Sequence, residues 1–592
     1  MAISSRPRQT MIIVGAGIGG LSTGCYAQMN GYRSRVFELH DVPGGCCTDW
    51  KRGEFTFDAC MSWLVGSGPG NELYQIWLEL GALHGKEVRH FEMFNAVETA
   101  DGHTVRFYSD PDRLQDHLTE LSPADGKRIR AFCHGLRQLQ KCVAAAPFLR
   151  PVGLMGRLDQ LRMYLRFAPF YRLIARSIAT RIAGCAARFE SPVLREAFHH
   201  VLYESTPERS LLDLYFQLAC HANRAAGVPE GGWSGLVRSI EARYLALGGQ
   251  VRYRAGVEEI LVDRDRAIGV RLSDDQRHFA DVVVVAGDGH PELIERVGGR
   301  SAIEAGPRAT DRTDPPGAAP SGLFTLFLGL DRRFPEAEHC TTHLLTEDEA
   351  AELPGIVHPS LHVQFRNRHY PELSPPGSSV IFASYACDVA RWRALHQGED
   401  RPSRQRRGIE VRRLAPPRPQ SYPQEKRRVA EFLTGYLDRK YPGLARALVV
   451  RDVASPLTPL RCAGNHSDAV LPWQSFLGAG DGVGAGIAQH GPVLPGLRDL
   501  YVAEARGATG GLIGAAAAGR HVVQLICKDD RKRFTAWVED SAAPPTHVII
   551  PPGGRRTAGP GRGRGLARAA IDPAPPAPPA PPAPPAVTRR PA

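Results

Sequence analysis

Residues 11–38 read "MIIVGAGIGGLSTGCYAQMNGYRSRVFE", and their reading decides the fold. An apolar run, Met11–Val14, enters a turn with glycine at 15, 17 and 20, and a helical stretch follows. A second strand, Arg35–Phe37, ends on an acid, Glu38. Each glycine has a separate physical task. Gly15 permits the tight strand-to-helix turn, Gly17 lets backbone approach a pyrophosphate, and Gly20 lets the helix pack on its strand. The helix that opens there aims its free N–H groups and the positive end of its dipole at the phosphates. Glu38 lies 23 residues after Gly15, where a carboxylate accepts from the ribose hydroxyls of an adenosine. A lone glycine triplet is weak evidence. Strand, triplet, helix, further glycines at 24 and 31 and the spaced acid agree on a dinucleotide site. The alternative is a glycine-rich packing turn.

Working outward, "VFELHDVPGGCCTDW" (36–50) adds the doublet Gly44-Gly45 and the neighbouring Cys46 and Cys47. The doublet suggests a second backbone approach to the same pyrophosphate, with amides forming an anion nest. Near the other end, "DLYVAEARGATGGLIGAAAAGRHVVQLICK" (499–528) supplies a further strand, glycine loop and Ala-rich helix. A dipole from that helix would stabilise the negative charge a flavin ring gains on reduction.

Four stretches together resemble the phytoene desaturase, carotenoid isomerase and retinol saturase family. They are the fingerprint, "PGGCCTDWKRGEFTFDA" (43–59), "PEGGWSGLVRSIEARYLALGGQVRYRAGVEEI" (229–260) and "LPGLRDLYVAEARGATGGLIGAAAAGR" (494–520). The similarity covers residues 8–530. The resemblance implies FAD and an α/β fold: a Rossmann-like FAD-binding domain of the two-dinucleotide-binding, glutathione-reductase-like type, with an inserted α+β substrate domain. It also implies the residues lining FAD. These are Gly15, Ala16, Gly17, Ile18, Gly19, Gly20, Glu38, Leu39, Gly44, Gly45, Cys46 and Cys47, with Val257, Asp288, Glu504, Gly510, Gly511 and Leu512 from downstream. Val257 would give backbone contacts near the adenine. Two positions depart from the pattern: Cys46-Cys47 stands where relatives often carry Arg after the glycine pair, and Glu504-Ala505 replaces a Gly-Asp-like pair. Small residues after the doublet are a feature of the retinol saturase and carotenoid isomerase branch.

The chain has twelve cysteines and no CxxC pair, which argues against a zinc site, and no metal is expected. Cys46 and Cys47 are expected to serve as small residues lining the turn, the alternative being a redox or covalent-flavin role; strain in a disulfide between adjacent cysteines counts against a Cys46–Cys47 couple. His199-His200 and Cys220-His221 are adjacent pairs without further ligand spacing and read as packing or surface residues. No Ser/His/Asp set or paired acids stands out, and no catalytic acid or base is assigned. That suits flavin chemistry, where the cofactor moves the hydride. The glycine-dense "GAGDGVGAG" (478–486) follows no strand and has no downstream acid, so a second bound dinucleotide is not expected.

At 592 residues, two or three structural units are expected. The reading divides the chain into FAD-binding segments 8–85, 226–310 and 451–535, a helical substrate- or membrane-facing region 86–225, a strand-and-helix substrate domain 311–450, and a disordered Pro-rich tail 536–592. A helix from about residue 423 would bury Val429, Phe432, Leu433, Tyr436 and Leu437 on one face. Net charge is +11, and residues 541–592 alone hold seven Arg against one Asp. Residues 399–420 read as a second basic, Pro-containing insertion. The N-terminus enters a strand at once, and no apolar run reaches the ~20 residues of a membrane span. A cytoplasmic chain that binds no nucleic acid is expected. Within 147–181 there are seven Arg and one Asp, with Leu158, Leu161 and Leu165 on one helical face. That stretch is a candidate peripheral membrane-surface helix, the alternative being an ordinary packed helix with a solvated basic face. The expected activity is desaturation, saturation or cis–trans isomerisation of an apolar polyene. A flavin amine oxidase and a flavin-binding protein without turnover remain open alternatives.

Overall fold

The computed structural model describes residues 9–58, 60, 62–69, 72–145, 149, 154–202, 209–286, 321–397, 421–458, 497–503, 511–538 and 546–548. Distant parts of the chain meet in one five-stranded sheet. Its order is Gln250–Arg252, Arg33–Phe37, Thr10–Val14, Val282–Ala286 and Leu500–Ala503, and every neighbour is parallel. A parallel sheet is covered on both faces, which explains the uninterrupted "VVVV" of 282–285. The alternation of strand side chains divides the strands between two cores. Met11, Ile13, Val36, Val282 and Val284 face the helices. Ile12, Val14, Phe37, Val283 and Val285 face an antiparallel meander, Val257–Asp263, Arg266–Leu272 and Arg277–Phe279.

The first helix, Ile18–Met29, crosses the C-terminal helix, Gly511–Asp529, at backbone range. The Ser22 hydroxyl donates to the Ala516 carbonyl at 2.7 Å, and a Cβ on Gly519 would lie 2.6 Å from the Thr23 nitrogen. A buried ion pair ties the C-terminal helix to Glu72–Glu79: Arg520 Nε meets Glu79 Oε2 at 2.9 Å, and Tyr26 donates to the same oxygen at 2.7 Å.

A seven-stranded sheet forms the second layer system, in the order Leu448–Ala454, Ser321–Leu330, Ser379–Asp388, Ser360–Phe365, Cys340–Leu344, Met93–Glu98, Thr104–Tyr108. Its neighbours are antiparallel except Cys340–Leu344 with Met93–Glu98. The amphipathic helix Ser421–Lys440 covers one face, burying Val429, Leu433, Tyr436 and Leu437 and half-burying Phe432. Two strands of this sheet come from 86–225, the region read as helical, and Leu448–Ala454 runs across the boundary read at 450. Met93–Glu98 and Leu448–Ala454 join the sheet through partners distant in sequence, Cys340–Leu344 and Ser321–Leu330, which local periodicity does not register. Two short strands, Ala536–Val538 and Thr546–Val548, also pair within the region read as tail, where β-forming residues interrupt the Pro-rich composition.

The described residues of 111–222 are mainly helical, as read. Arg157–Phe167 and Tyr171–Ala179 stand on the surface. Their inner side chains, Phe167, Leu173, Ile174 and Ile178, pack on the main core. Leu158, Leu161, Leu165 and Tyr171 are 70, 53, 65 and 71% exposed. Among the described residues no helix is long and apolar enough to cross a membrane. Residues 399–420, 478–486 and the tail beyond 548 lie outside the described residues, as do Asp288, Glu504 and Gly510.

Candidate functional site

The strand Thr10–Val14 delivers the chain into the glycine turn at the carboxyl edge of the five-stranded sheet, where ligands of such folds bind. Gly15 has φ +96°, and a Cβ there would lie 2.5 Å from the Ala286 carbonyl oxygen. At Gly20 a Cβ would fall 1.9 Å from the Gly15 oxygen. These two positions are closed to any side chain by the protein itself. Gly17 differs: among the described residues nothing lies within 4 Å of the space a Cβ would take. Gly17 is also the N-cap of the first helix, with no side-chain cap and no acid in the first turn. The helix therefore presents uncapped amides to open space, the arrangement an anionic group satisfies.

Glu38 is buried, and its carboxylate is fixed from two directions. Oε2 accepts from the Ala16 N–H at 2.6 Å, and Oε1 accepts from the His40 N–H at 2.9 Å. A carboxylate offers about four lone-pair sites, so these bonds orient Glu38 and leave acceptor capacity for a hydroxyl. Gly44 donates to the Ala16 carbonyl at 3.0 Å, and a Cβ on Gly45 would come within 3.9 Å of Gly17 Cα. The two glycine turns thus face each other. Positive φ at Gly44 and Gly45, +124° and +56°, is the conformation that glycine adopts without strain.

The second turn closes as a single 3-10 turn, Gly45–Cys47, and leads to a buried polar relay. Cys47 Sγ lies 3.3 Å from Cys60 Sγ. The Cys60 N–H donates to Asp58 Oδ1, and that oxygen accepts from Arg366 Nη2 at 2.6 Å in a pair that is almost wholly buried. Arg366 lies over the rings of Tyr370 and Phe382 and lines a small cleft with Ser62, Trp63, Phe91, His339 and His369. His339 stacks on Phe91 at 4.8 Å, and His221 packs edge-on against Trp63 and Phe94. Burial pushes these imidazoles down: His221 to about 3, His369 to about 4, and His339 well below its ordinary value. All three are neutral near pH 7, so the cleft, lined by aromatic rings together with Ser62, Cys340 and Gln364, carries no charge apart from Arg366, which is paired with Asp58.

Residues 13–80 match the family described as an NAD(P)-binding Rossmann-like domain. A lycopene-forming phytoene desaturase of Paracoccus sp. is 25% identical over 398 residues, 64% of this chain and 75% of its own length. The chloroplastic prolycopene isomerase 2 of an Oncidium hybrid cultivar is 21% identical over 478 residues, 78% of this chain and 75% of its own. Over most of its length the chain is thus similar to oxidoreductases and isomerases of carotenoid polyenes. An oxidoreductase from Methanosarcina mazei, of solved structure, superposes with a TM-score of 0.52 at 16% identity, covering 87% of this chain and 100% of its own, which shows the shared fold.

In this chain, Gly15–Gly20, Glu38 and Gly44–Cys47 converge on the edge of the parallel sheet. Leu39 is half-buried against the strand junction at Gly256, where a Cβ would meet its Cδ1 at 2.8 Å. Val257 opens the meander and packs in the core beneath the sheet. Gly511, at φ +70°, opens the C-terminal helix, and Leu512 is buried in the main core. Ala503 and Ala515 put carbonyls 3.0 and 3.5 Å from a Cβ on Gly19, so Gly19 serves helix packing. Sequence reasoning missed Asp58, Cys60 and the Arg366–Tyr370 segment. Asp58 and Cys60 follow the glycine doublet closely, but nothing local signals a partner 308 residues away.

Proposed function

We propose that the chain is a flavin-dependent oxidoreductase that holds FAD between its two glycine turns and acts on carbon–carbon double bonds of an apolar isoprenoid polyene. One observation carries the reading: the open space at Gly17, with uncapped helix amides behind it and the Gly44-Gly45 turn opposite. These residues fit a pyrophosphate, which supplies the charge those amides lack. Gly15, Ala16, Gly17 and Gly44-Gly45 would hold the phosphates, and Glu38 the ribose. Bound FAD would supply hydride transfer. The chain's own residues bind, orient and exclude water.

The relay from Cys47 through Cys60 and Asp58 to Arg366 links this cradle to the aromatic cleft. Neutral imidazoles and phenyl rings suit a conjugated hydrocarbon, which carries no charge for the walls to meet. An amine substrate would need an unpaired acceptor, and Asp58 already has Arg366. The exposed leucines of 158–165 beside Arg162 and Arg166 support delivery of the substrate from an anionic membrane surface. The test is spectroscopic. Purified protein should release FAD on denaturation, and anaerobic holoprotein should show a flavin redox change or polyene conversion with a carotenoid or retinoid panel. Absence of any nucleotide, or bleaching by amines alone, would refute the reading.

A further inference from the structure

The two sulfurs between the cradle and the cleft have a chemistry that neither packing nor flavin binding requires. We propose that Cys47 and Cys60 form a redox-active dithiol that closes to a disulfide by exchange with a low-molecular-weight disulfide. The sulfurs stand 3.3 Å apart, and closure to a bonded separation of about 2.05 Å asks for a movement of only about 1.2 Å. Each thiol is held from its own side. Cys47 donates its N–H to the Gly44 carbonyl at 3.0 Å, and Cys60 donates its own to Asp58, which Arg366 fixes.

Unequal access sets the order of events. Cys60 is half-buried, whereas Cys47 is 2% exposed. A small disulfide reaches Cys60 first. The Cys60 sulfur, having given up its proton, attacks one sulfur of the reagent. That S–S bond breaks, and the leaving thiolate takes the proton. The Cys47 sulfur then loses its proton and attacks the Cys60 sulfur, expelling the second thiol. The protein has lost two electrons and two protons, and the reagent has become two thiols. The neighbouring Cys60 thiol, followed by burial, holds the Cys47 thiol well above its ordinary value. Capping Cys60 removes the first of these causes before Cys47 has to react. Cys46, next to Cys47, is excluded as the partner by the strain of a vicinal disulfide. Closure would tether the turn that faces Gly17 to the segment carrying Asp58, so a redox signal would reach the nucleotide cradle. That last consequence rests on the flavin reading, whereas the bond does not.

The full chain is incubated with oxidised glutathione, alkylated, digested without reductant and analysed by mass spectrometry. The expected product is a cross-linked peptide joining Cys47 to Cys60. It should persist in Cys46→Ser and vanish in Cys47→Ser and Cys60→Ser. Cys47→Ser should instead retain a glutathionyl group on Cys60. In the reduced parent, Cys60 should alkylate at least about tenfold faster than Cys47. Both cysteines alkylated after the oxidant, or a link through Cys46, would overturn the proposal. The parent chain gives this readout even where a serine variant does not fold. Flavin content is measured on the same sample. A bond without flavin keeps the dithiol and sinks the flavin reading, and flavin without the bond does the reverse.

Discussion

Replacing Gly17 by valine separates binding from folding, because the two demands on this residue come from different sides. Gly17 has φ −70° and ψ 177°, an extended conformation open to valine. Among the described residues nothing lies within 4 Å of the new Cβ. The folded chain should therefore lose only the difference between glycine and valine as an N-cap, about 0.5–1 kcal/mol. In a chain of this size that lowers the melting temperature of the nucleotide-free protein by less than about 2 °C. The same branched side chain occupies the space the pyrophosphate needs. A weakening of at least a hundredfold, about 2.7 kcal/mol, is expected, enough for the flavin to be lost on gel filtration. Gly20→Ala serves as the contrast, since its Cβ would strike the Gly15 oxygen at 1.9 Å and damage the fold itself. The assay compares bound flavin per chain with the melting temperature of each stripped protein. A Gly17→Val protein that keeps parental flavin content would refute the reasoning. So would one that fails to fold, since the space would then be structural.

Asp58→Asn and Arg366→Leu should each cost about 3–5 kcal/mol in chemical denaturation, because each strands a buried charge. The double variant should cost less than the sum, and simple additivity would contradict the pair. His221 is held at about 3 by burial, against about 6.5 in the unfolded chain. Between those values the unfolded chain binds the extra proton, so stability falls as pH drops from 6.5 toward 3. His221→Phe keeps the aromatic packing and should recover about 2 kcal/mol at pH 5 relative to pH 8. An unchanged pH profile in denaturant midpoints would count against it. Exchanging Arg162, Arg166, Arg172 and Arg176 for Glu should abolish flotation with anionic liposomes while FAD content stays parental. Deletion of 541–592 is the control, and lipid binding lost only with the tail would return these helices to an ordinary packed role.

What the sequence makes legible is local. The triplet at 15–20, the strand before it and the acid at 38 are separated by distances that backbone geometry dictates, so spacing alone places them at one edge of the sheet. The helix face at Val429, Leu433, Tyr436 and Leu437 follows from a period of 3.6, and all four are buried. The same periodicity groups Leu158, Leu161 and Leu165, but whether that face is covered depends on what else packs there. The structure leaves it bare while burying Ser177 and half-burying Leu173 and Ile174 in the next helix. Glu38 reads as a ribose ligand, yet its two oxygens first secure Ala16 and His40. The contact of Cys47 with Cys60, and the joining of Asp58 to Arg366, have no periodic signature. They arise because the segment after the glycine doublet packs against the seven-stranded sheet, a tertiary event.

The most direct test of polyene chemistry at a flavin is a conversion assay. The FAD-loaded chain is mixed anaerobically with phytoene, prolycopene and retinol in anionic liposomes, with the flavin oxidised in one series and reduced in the other. Products are separated by chromatography, and the flavin and polyene absorption bands are followed together. The expected result is a changed number or geometry of double bonds in at least one substrate, dependent on flavin and absent in Gly17→Val. If every polyene returns unaltered from both series while an amine bleaches the flavin, the chain is an oxidase of another kind.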